Sequence, residues 1–175
     1  LNGTSITDRE FVVLGKLPQL TQLSLQHTEV STIGLEQLAA IRTLERLDLG
    51  HTLLGDNALP MLASLTNLRA LHMPSTLVEG TGLASLKALS NLRELDLGNS
   101  PIADEGMEQL AQLTGLESLN LRHTDITDAG TGHFAALVID DSQLDAVAGP
   151  PGRAQLAELA AFGRVVAGRV DRRQR

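Results

Sequence analysis

The sequence predicts an α/β solenoid, a curved stack of strand–helix units with short parallel strands on the concave face and short helices on the convex face. Three observations predict this architecture. A 24-residue period runs without insertion or deletion through residues 1–137. Within each period, apolar and polar residues first alternate, as in a strand, and apolar residues then recur at every third position, as on one helical face.

Five units each begin at a leucine, and residues 1–19 match the last nineteen positions of an earlier unit. The starting residues, position 1 of each unit, are Leu20, Leu44, Leu68, Leu92 and Leu116. One unit cannot bury its apolar faces alone, so successive units are expected to stack and to pair their strands in parallel. Strands lie about 4.8 Å apart and helices about 8–10 Å apart, so the stack should curve with the sheet inside.

Positions 3 to 7 of each unit predict the strand, and positions 16, 19 and 22 predict the helix. Residues able to cap a helix stand before it at position 13: Asp8, Thr32, Asp56, Gly80, Asp104 and Asp128. Glycine recurs at position 15, which indicates close packing of the outer layer rather than a phosphate-binding loop.

Read as LxxLxLxxTxITDxGLxxLxxLxx, the units resemble leucine-rich repeats of the 24-residue kind common in bacterial proteins. The resemblance implies a recognition module, and it extends to type III effectors, some of which carry an F-box or a catalytic domain outside the repeats. The usual Asn at position 9 is replaced by Thr or Ser: Thr4, Thr28, Thr52, Thr76, Ser100 and Thr124. These hydroxyls predict a buried ladder along the stack, not a row of nucleophiles.

Composition excludes several kinds of site. The chain has no cysteine, which rules out disulfides, thiolate zinc sites and a cysteine nucleophile. The formal net charge of -7 argues against nucleic acid as the main partner, and no apolar run is long enough to predict a membrane span. No phosphate-loop or dinucleotide motif is present, so no cofactor is predicted.

The solvent-facing positions 3, 5, 7 and 8 of the concave face are the predicted protein-binding surface. The candidate binding residues are Arg46, Asp48, His72, Glu94, Asp96, Asn120 and Arg122. The acidic pair Glu94 and Asp96 is expected to contact a polar or basic partner surface, with Asn120 and Arg122 on the next strand. The chain has no Trp or Tyr, so this face offers none of the aromatic anchors that favour a small, tight interface.

Histidines at position 8 raise the question of a metal site. His27 and His51 should be neighbours, but His123 lies three units further on, about 15 Å away. A tetrahedral site needs three or four converging ligands, so these histidines are interpreted as exposed polar residues and no metal is predicted. At position 2, the spacing predicts ion pairs of Glu45 with Arg69 and of Arg93 with Glu117.

The two ends depart from the template. The strand positions of the first unit are missing before Leu1, which predicts further repeats or a cap in the parent chain and self-association through the open edge at 23–26. Residues 1–137 are assigned to the repeat domain, and residues 138–175 to a C-terminal cap and a mobile tail. Within that second segment, residues 153–170 have the apolar spacing of a helix, and the last twelve residues are basic.

The leading interpretation is a non-catalytic protein-interaction module. The alternative is the targeting portion of a larger bacterial effector whose catalytic domain lies outside this chain, and a structural spacer is a third. No nucleophile, base and orienting group recur together in the sequence. The sequence does not identify the compartment.

Overall fold

A computed structural model of the chain describes residues 1–6, 8, 11–17 and 19–131. Within them, five strands form one parallel sheet in sequential order, β1-β2-β3-β4-β5. The strands are β1 Gln22–Ser24, β2 Arg46–Asp48, β3 Ala70–His72, β4 Glu94–Asp96 and β5 Ser118–Asn120. Equivalent positions of neighbouring units pair directly, as Leu23 does with Leu47, so the α/β solenoid and its 24-residue register are confirmed.

The strands are shorter than the predicted positions 3 to 7, because each ends after position 5. Backbone hydrogen bonds continue beyond that point, from Leu25 N to Asp48 O at 2.8 Å and from His27 N to Gly50 O at 3.1 Å. At position 8 the backbone turns into the left-handed region, with φ of 55° to 56° at His27, His51, Ser75, Asn99 and His123. A left-handed residue cannot continue an extended strand, so the chain turns away from the sheet there.

Helical segments follow the strands, as predicted. The α-helices are α1 Phe11–Leu14, α2 Thr32–Leu38, α3 Leu59–Leu62, α4 Asp104–Leu110 and α5 Asp128–Thr131, and 3-10 helices span Asp56–Ala58 and Leu83–Ala88. The third full unit has its short helix in the 3-10 form, and that helix begins at position 16 rather than at position 13 as in α2 and α4. Its helix starts late because Gly80, at position 13, has a φ of +119°, which lies outside the helical region.

The leucine columns form one continuous core between the sheet and the helices. Leu47, Leu71 and Leu119 at position 4 are fully buried. Burying one leucine side chain stabilises a fold by about 1.5–3 kcal/mol relative to leaving it exposed, so these columns supply the main stabilisation of the stack. Phe11 in α1 is also fully buried and packs against the position of Gly34 in the next unit.

The prediction that position 13 caps its own helix is wrong for the helices whose caps are described. Helix α2 has its N-cap at Ser31 and α4 has its N-cap at Ala103, both at position 12. The aspartates at position 13 instead accept hydrogen bonds from the following unit: Asp8 from Ser31 N at 3.0 Å, and Asp104 from Thr127 N at 2.8 Å. They thus satisfy backbone donors where the next unit begins its helix.

Asp56 makes the most extensive of these contacts between units. Its carboxylate accepts from the backbone nitrogens of Glu79 at 2.9 Å, Gly80 at 3.0 Å and Gly82 at 2.6 Å. A Cβ at Gly82 would collide with the backbone oxygen of Asp56, and one at Gly34 would collide with the carboxylate of Asp8. The predicted close packing at position 15 is confirmed at these two glycines, where the outer layer leaves no room for a side chain.

The hydroxyl residues at position 9 are buried in the first four full units, at Thr28, Thr52, Thr76 and Ser100. Thr28 donates to Leu25 O at 2.6 Å and Thr52 to Leu49 O at 2.7 Å, so each bond closes the turn within its own unit. A link along the stack occurs between Thr76 and Ser100, whose hydroxyl oxygens are 3.1 Å apart. The expected ladder is therefore mainly a series of local turns.

Several predictions lie outside the described residues. These are the end of the repeats at Leu137, the helix over residues 153–170 and the basic tail. Strand β1 is at one edge of the described sheet, with Gly3 N donating to Gln26 O at 2.8 Å beside it. Over the described ranges, none of the helices has both the length and the apolar character needed to cross a bilayer.

Candidate interaction surface

The concave face carries side chains from positions 3 and 5 of all five strands. At position 3, Arg46, Ala70 and Glu94 lie in register on β2, β3 and β4. Arg46 Nη2 reaches Glu94 Oε2 at 3.3 Å by crossing the strand between them. Ala70, between them on β3, is 2% exposed, and its methyl side chain is too small to keep the two charges apart.

His72 completes this group from position 5 of β3. Its Nε2 lies 2.9 Å from Glu94 Oε1, so both carboxylate oxygens of Glu94 have a partner. We call Arg46, His72 and Glu94 the central cluster. It joins three neighbouring strands, and the side chains of Arg46 and Glu94 are 47% and 38% exposed, so it is a polar surface open to solvent rather than a buried ion pair.

The aspartates at position 5 organise the ends of their strands. Asp96 Oδ1 accepts from Gly98 N and from Asn120 Nδ2, both at 2.9 Å. Asp48 accepts in the same way from Gly50 N, at 3.1 Å, and from the side-chain amide of Gln26. Each carboxylate therefore holds the following turn and also bonds to a side chain of a neighbouring unit.

Arg122 lies two residues beyond β5. Its backbone nitrogen donates to Asn120 Oδ1 at 3.1 Å, and its side chain is exposed. Over residues 19–131, its guanidinium makes no recorded ion pair or hydrogen bond. Among the candidate residues it is thus a positive charge available to a partner.

The structure brings the seven candidates onto one face but connects them differently from the sequence interpretation. Glu94 was expected to be an acid available to a partner, whereas it is already bonded to Arg46 and His72. Comparing only adjacent units of the sequence misses the pair of Arg46 and Glu94, because the two residues are two units apart. The sequence signal for this pair is the small Ala70, which stands at position 3 between the opposite charges of Arg46 and Glu94 at the same position of the flanking units.

The histidines at position 8 do not form a chelating pair. The rings of His27 and His51 are stacked, with centroids 4.2 Å apart and planes 10° from parallel. Imidazole nitrogens bind metal in the plane of the ring, so two stacked rings do not direct their nitrogens at one ion. No group of three or more His, Asp or Glu residues suited to a metal ion occurs among the residues described.

Two ion pairs at position 2 border the concave face, as predicted. Arg69 Nε lies 3.8 Å from Glu45 Oε2, and Arg93 Nε lies 3.5 Å from Glu117 Oε1. The side chains of these residues are 40% to 76% exposed, and exposed pairs contribute about 0–1 kcal/mol. These pairs therefore add little to the stability of the stack and mainly hold charged side chains in place along the border of the concave face.

Comparisons with known proteins agree with this architecture. A family model described as a leucine-rich repeat matches residues 88–111 and 112–131. A search of curated protein sequences found no match. Among solved structures, internalin F of Listeria monocytogenes is similar over 74% of this chain and 37% of its own, with 25% identity and a TM-score of 0.60.

Two further structures have the same fold. Internalin C2 of L. monocytogenes is 25% identical over 74% of this chain and 54% of its own, with a TM-score of 0.58. The leucine-rich-repeat ectodomain of the Arabidopsis receptor kinase HAESA, solved with an N-terminally extended IDA peptide hormone, is 22% identical over 67% of this chain and 21% of its own, with a TM-score of 0.52.

The chain spans about a fifth to about half of the length of these structures. The family model matches two consecutive segments near the C-terminal end of the described sheet. With its parallel strands, outer helices and leucine columns, the chain has the leucine-rich-repeat fold, and residues 88–131 match the family model of that repeat.

Proposed function

We propose that the chain is a non-catalytic module that binds a protein partner through its concave face. The observation that carries this proposal is the sheet itself, which places side chains from five consecutive units on one surface. At about 4.8 Å per strand, that surface is about 19 Å wide between the outer strands, a scale suited to a segment of another protein. The peptide complex of the HAESA ectodomain supports the same use of the fold.

The binding surface consists of the seven candidate residues, centred on the central cluster. Charges of both signs lie on it: Arg46 is on β2, the acidic Glu94 and Asp96 are on β4, and Arg122 follows β5. A complementary partner presents the reverse pattern, which favours specificity and association rate more than affinity. Arg122 and the solvent-exposed parts of the central cluster are the first groups that a partner meets.

The test is a partner search with the full-length protein by proximity labelling, followed by a binding measurement with the identified partner. The variant Glu94→Ala, Asp96→Ala, Arg122→Ala removes charge from the concave face. Glu36→Ala, Lys87→Ala, Glu105→Ala also removes two acidic charges and one basic charge, at exposed residues on the helical side, and is the matched control. We expect the first variant to lose binding and the control to keep it; equal binding by both would refute the concave-face assignment.

Two predictions from the sequence are tested separately. If the gene encodes a catalytic domain beside this chain, the module is the substrate-recognition portion of an enzyme; adjoining repeats alone would contradict that alternative. Self-association through the edge at β1 predicts that light scattering detects concentration-dependent dimers, whereas a monomer at all concentrations would contradict it.

A further inference from the structure

The loops that follow the strands carry a second surface, formed by position 10 of the five units. We call it the loop row, and it consists of Glu29, Leu53, Leu77, Pro101 and Asp125. Leu53 is 85% exposed and Leu77 is 54% exposed. The row therefore reads acidic, apolar, apolar, apolar and acidic, with two leucines side by side in solvent at its centre.

The charge around the loop row has one sign. Positions 9 to 12 of the five units span 28–31, 52–55, 76–79, 100–103 and 124–127, and they contain no Lys, Arg or His. Their charged residues are Glu29, Glu79 and Asp125, and within the described ranges none of these three side chains has a recorded ion pair. The concave face differs, because there the acidic Glu94 is matched by Arg46.

The spacing of the loop row follows that of the sheet. In the adjoining columns, the rings of His27 and His51 are 4.2 Å apart and the hydroxyls of Thr76 and Ser100 are 3.1 Å apart. At about 4.8 Å per unit, the two acids at the ends of the row are about 19 Å apart, the length of about six extended residues.

A shallow cleft borders the row on the side of Leu53. Its volume is about 470 Å³, and its walls include Glu29, Val30, His51, Leu53 and Asn57. An aliphatic side chain placed there would cover exposed apolar surface, and a cation beside it would face the Glu29 carboxylate. The cleft thus combines the two kinds of contact that the whole row offers.

We propose that the loop row docks an extended segment of the protein partner that carries Lys or Arg about six residues apart, with two aliphatic side chains between them. The aliphatic side chains cover Leu53 and Leu77, and the cations approach Glu29 and Asp125. The proposal rests on the proposed function and specifies the chemistry of the partner. Charge complementarity selects this occupant, because an acidic or uncharged segment would leave the carboxylates of the row without a counter-charge.

The first experiment selects binders from a displayed library of random ten-residue peptides on the full chain. We expect enriched sequences to contain two aliphatic residues flanked by Lys or Arg. A labelled selected peptide is then titrated and followed by fluorescence anisotropy. Enrichment of acidic peptides, or failure to enrich any peptide, would overturn the proposal.

Variants locate the bound peptide. Leu53→Asp with Leu77→Asp should weaken binding at least about tenfold, because apolar contact is lost and charge is added. Glu29→Gln with Asp125→Asn should weaken it about two- to fivefold and reduce its salt dependence. Ile33→Asp, at a side chain 61% exposed on the helical side, is the matched control and should leave the affinity unchanged.

Arg46→Ala with Glu94→Ala separates this inference from the proposed function. Peptide binding lost in the leucine variant supports the loop row, whether or not the concave variant also loses it, because the peptide represents only one segment of the partner. Loss in the concave variant alone overturns the loop row and leaves the proposed function standing. Loss in neither variant overturns the loop row, while the concave face is judged by the binding of the identified partner.

The chain contains a competing occupant of similar composition, because residues 164–169 read RVVAGR. A synthetic peptide of residues 163–173 is therefore added as a competitor. If it displaces the selected peptide at lower concentration than the unlabelled selected peptide does, the occupant is the tail of the chain itself and the assignment to a partner protein is wrong. Weaker competition supports the partner.

Discussion

Arg46 Nη2 lies 3.3 Å from Glu94 Oε2, although a whole strand separates the two residues in the sheet. Ala70 occupies the intervening place and is almost completely buried. The pair links units that are not neighbours, and it neutralises the acid that would otherwise be the most prominent charge at the centre of the concave face. A partner that meets this face encounters a paired charge rather than an isolated carboxylate.

The first prediction concerns the strength of this pair. A double-mutant cycle with Arg46→Ala and Glu94→Ala should give a coupling of about 0.2–1 kcal/mol in the free energy of unfolding, because both side chains are partly exposed to solvent. Urea denaturation measures it. Arg122→Ala combined with Glu94→Ala is the control and should give no coupling; equal coupling in the two cycles would show that the contact across Ala70 is not specific.

The second prediction concerns the contact of Asp56 with the next unit. Asp56→Ala removes the acceptor of three backbone hydrogen bonds and should lower the free energy of unfolding by about 1–3 kcal/mol. Asp56→Asn keeps one oxygen and should cost less. Hydrogen exchange should accelerate locally at the amides of Glu79, Gly80 and Gly82.

Asp125→Ala is the control for this variant, since Asp125 has no recorded side-chain contact within residues 19–131. It should leave the exchange of the same three amides unchanged. Unaltered exchange in Asp56→Ala would mean that the carboxylate does not hold the start of the next helix.

The third prediction uses two glycines in different surroundings. Gly82→Ala should destabilise the fold by about 1–3 kcal/mol, because its Cβ would collide with backbone atoms of Asp56 that cannot rotate away. At Gly15 the nearest atom is 3.7 Å from the new Cβ, so Gly15→Ala should be neutral or slightly stabilising. Thermal unfolding distinguishes the two, and a similar change in Tm for both would contradict the close approach of the units.

The fourth prediction compares two leucines of the same unit. Leu47→Ala should lower the free energy of unfolding by about 2–5 kcal/mol, because Leu47 is fully buried and its loss leaves a cavity. Leu53→Ala should change it by less than about 0.5 kcal/mol, because Leu53 lies in solvent. Equal losses in denaturant titrations would be inconsistent with an exposed loop row.

The sequence by itself determined the solenoid, its register and its core. Hydrophobic burial depends on residue type and on the repeat period, and the sequence shows both in the leucines at position 4, such as Leu47, Leu71 and Leu119. The pairing of Glu45 with Arg69 followed as well, because register places equivalent positions of adjacent units side by side. The seven candidate residues were placed on one face for the same reason.

Only the tertiary structure decided how the polar side chains are satisfied. The bond from Asp56 to the next unit, the turns closed by Thr28 and Thr52, and the reach of Arg46 over Ala70 depend on distances and directions between units. A repeat period specifies which residues are neighbours, but not how far a long side chain extends or which of several donors an acceptor meets. The period therefore fixed the scaffold, and packing fixed the charges that a partner would find on it.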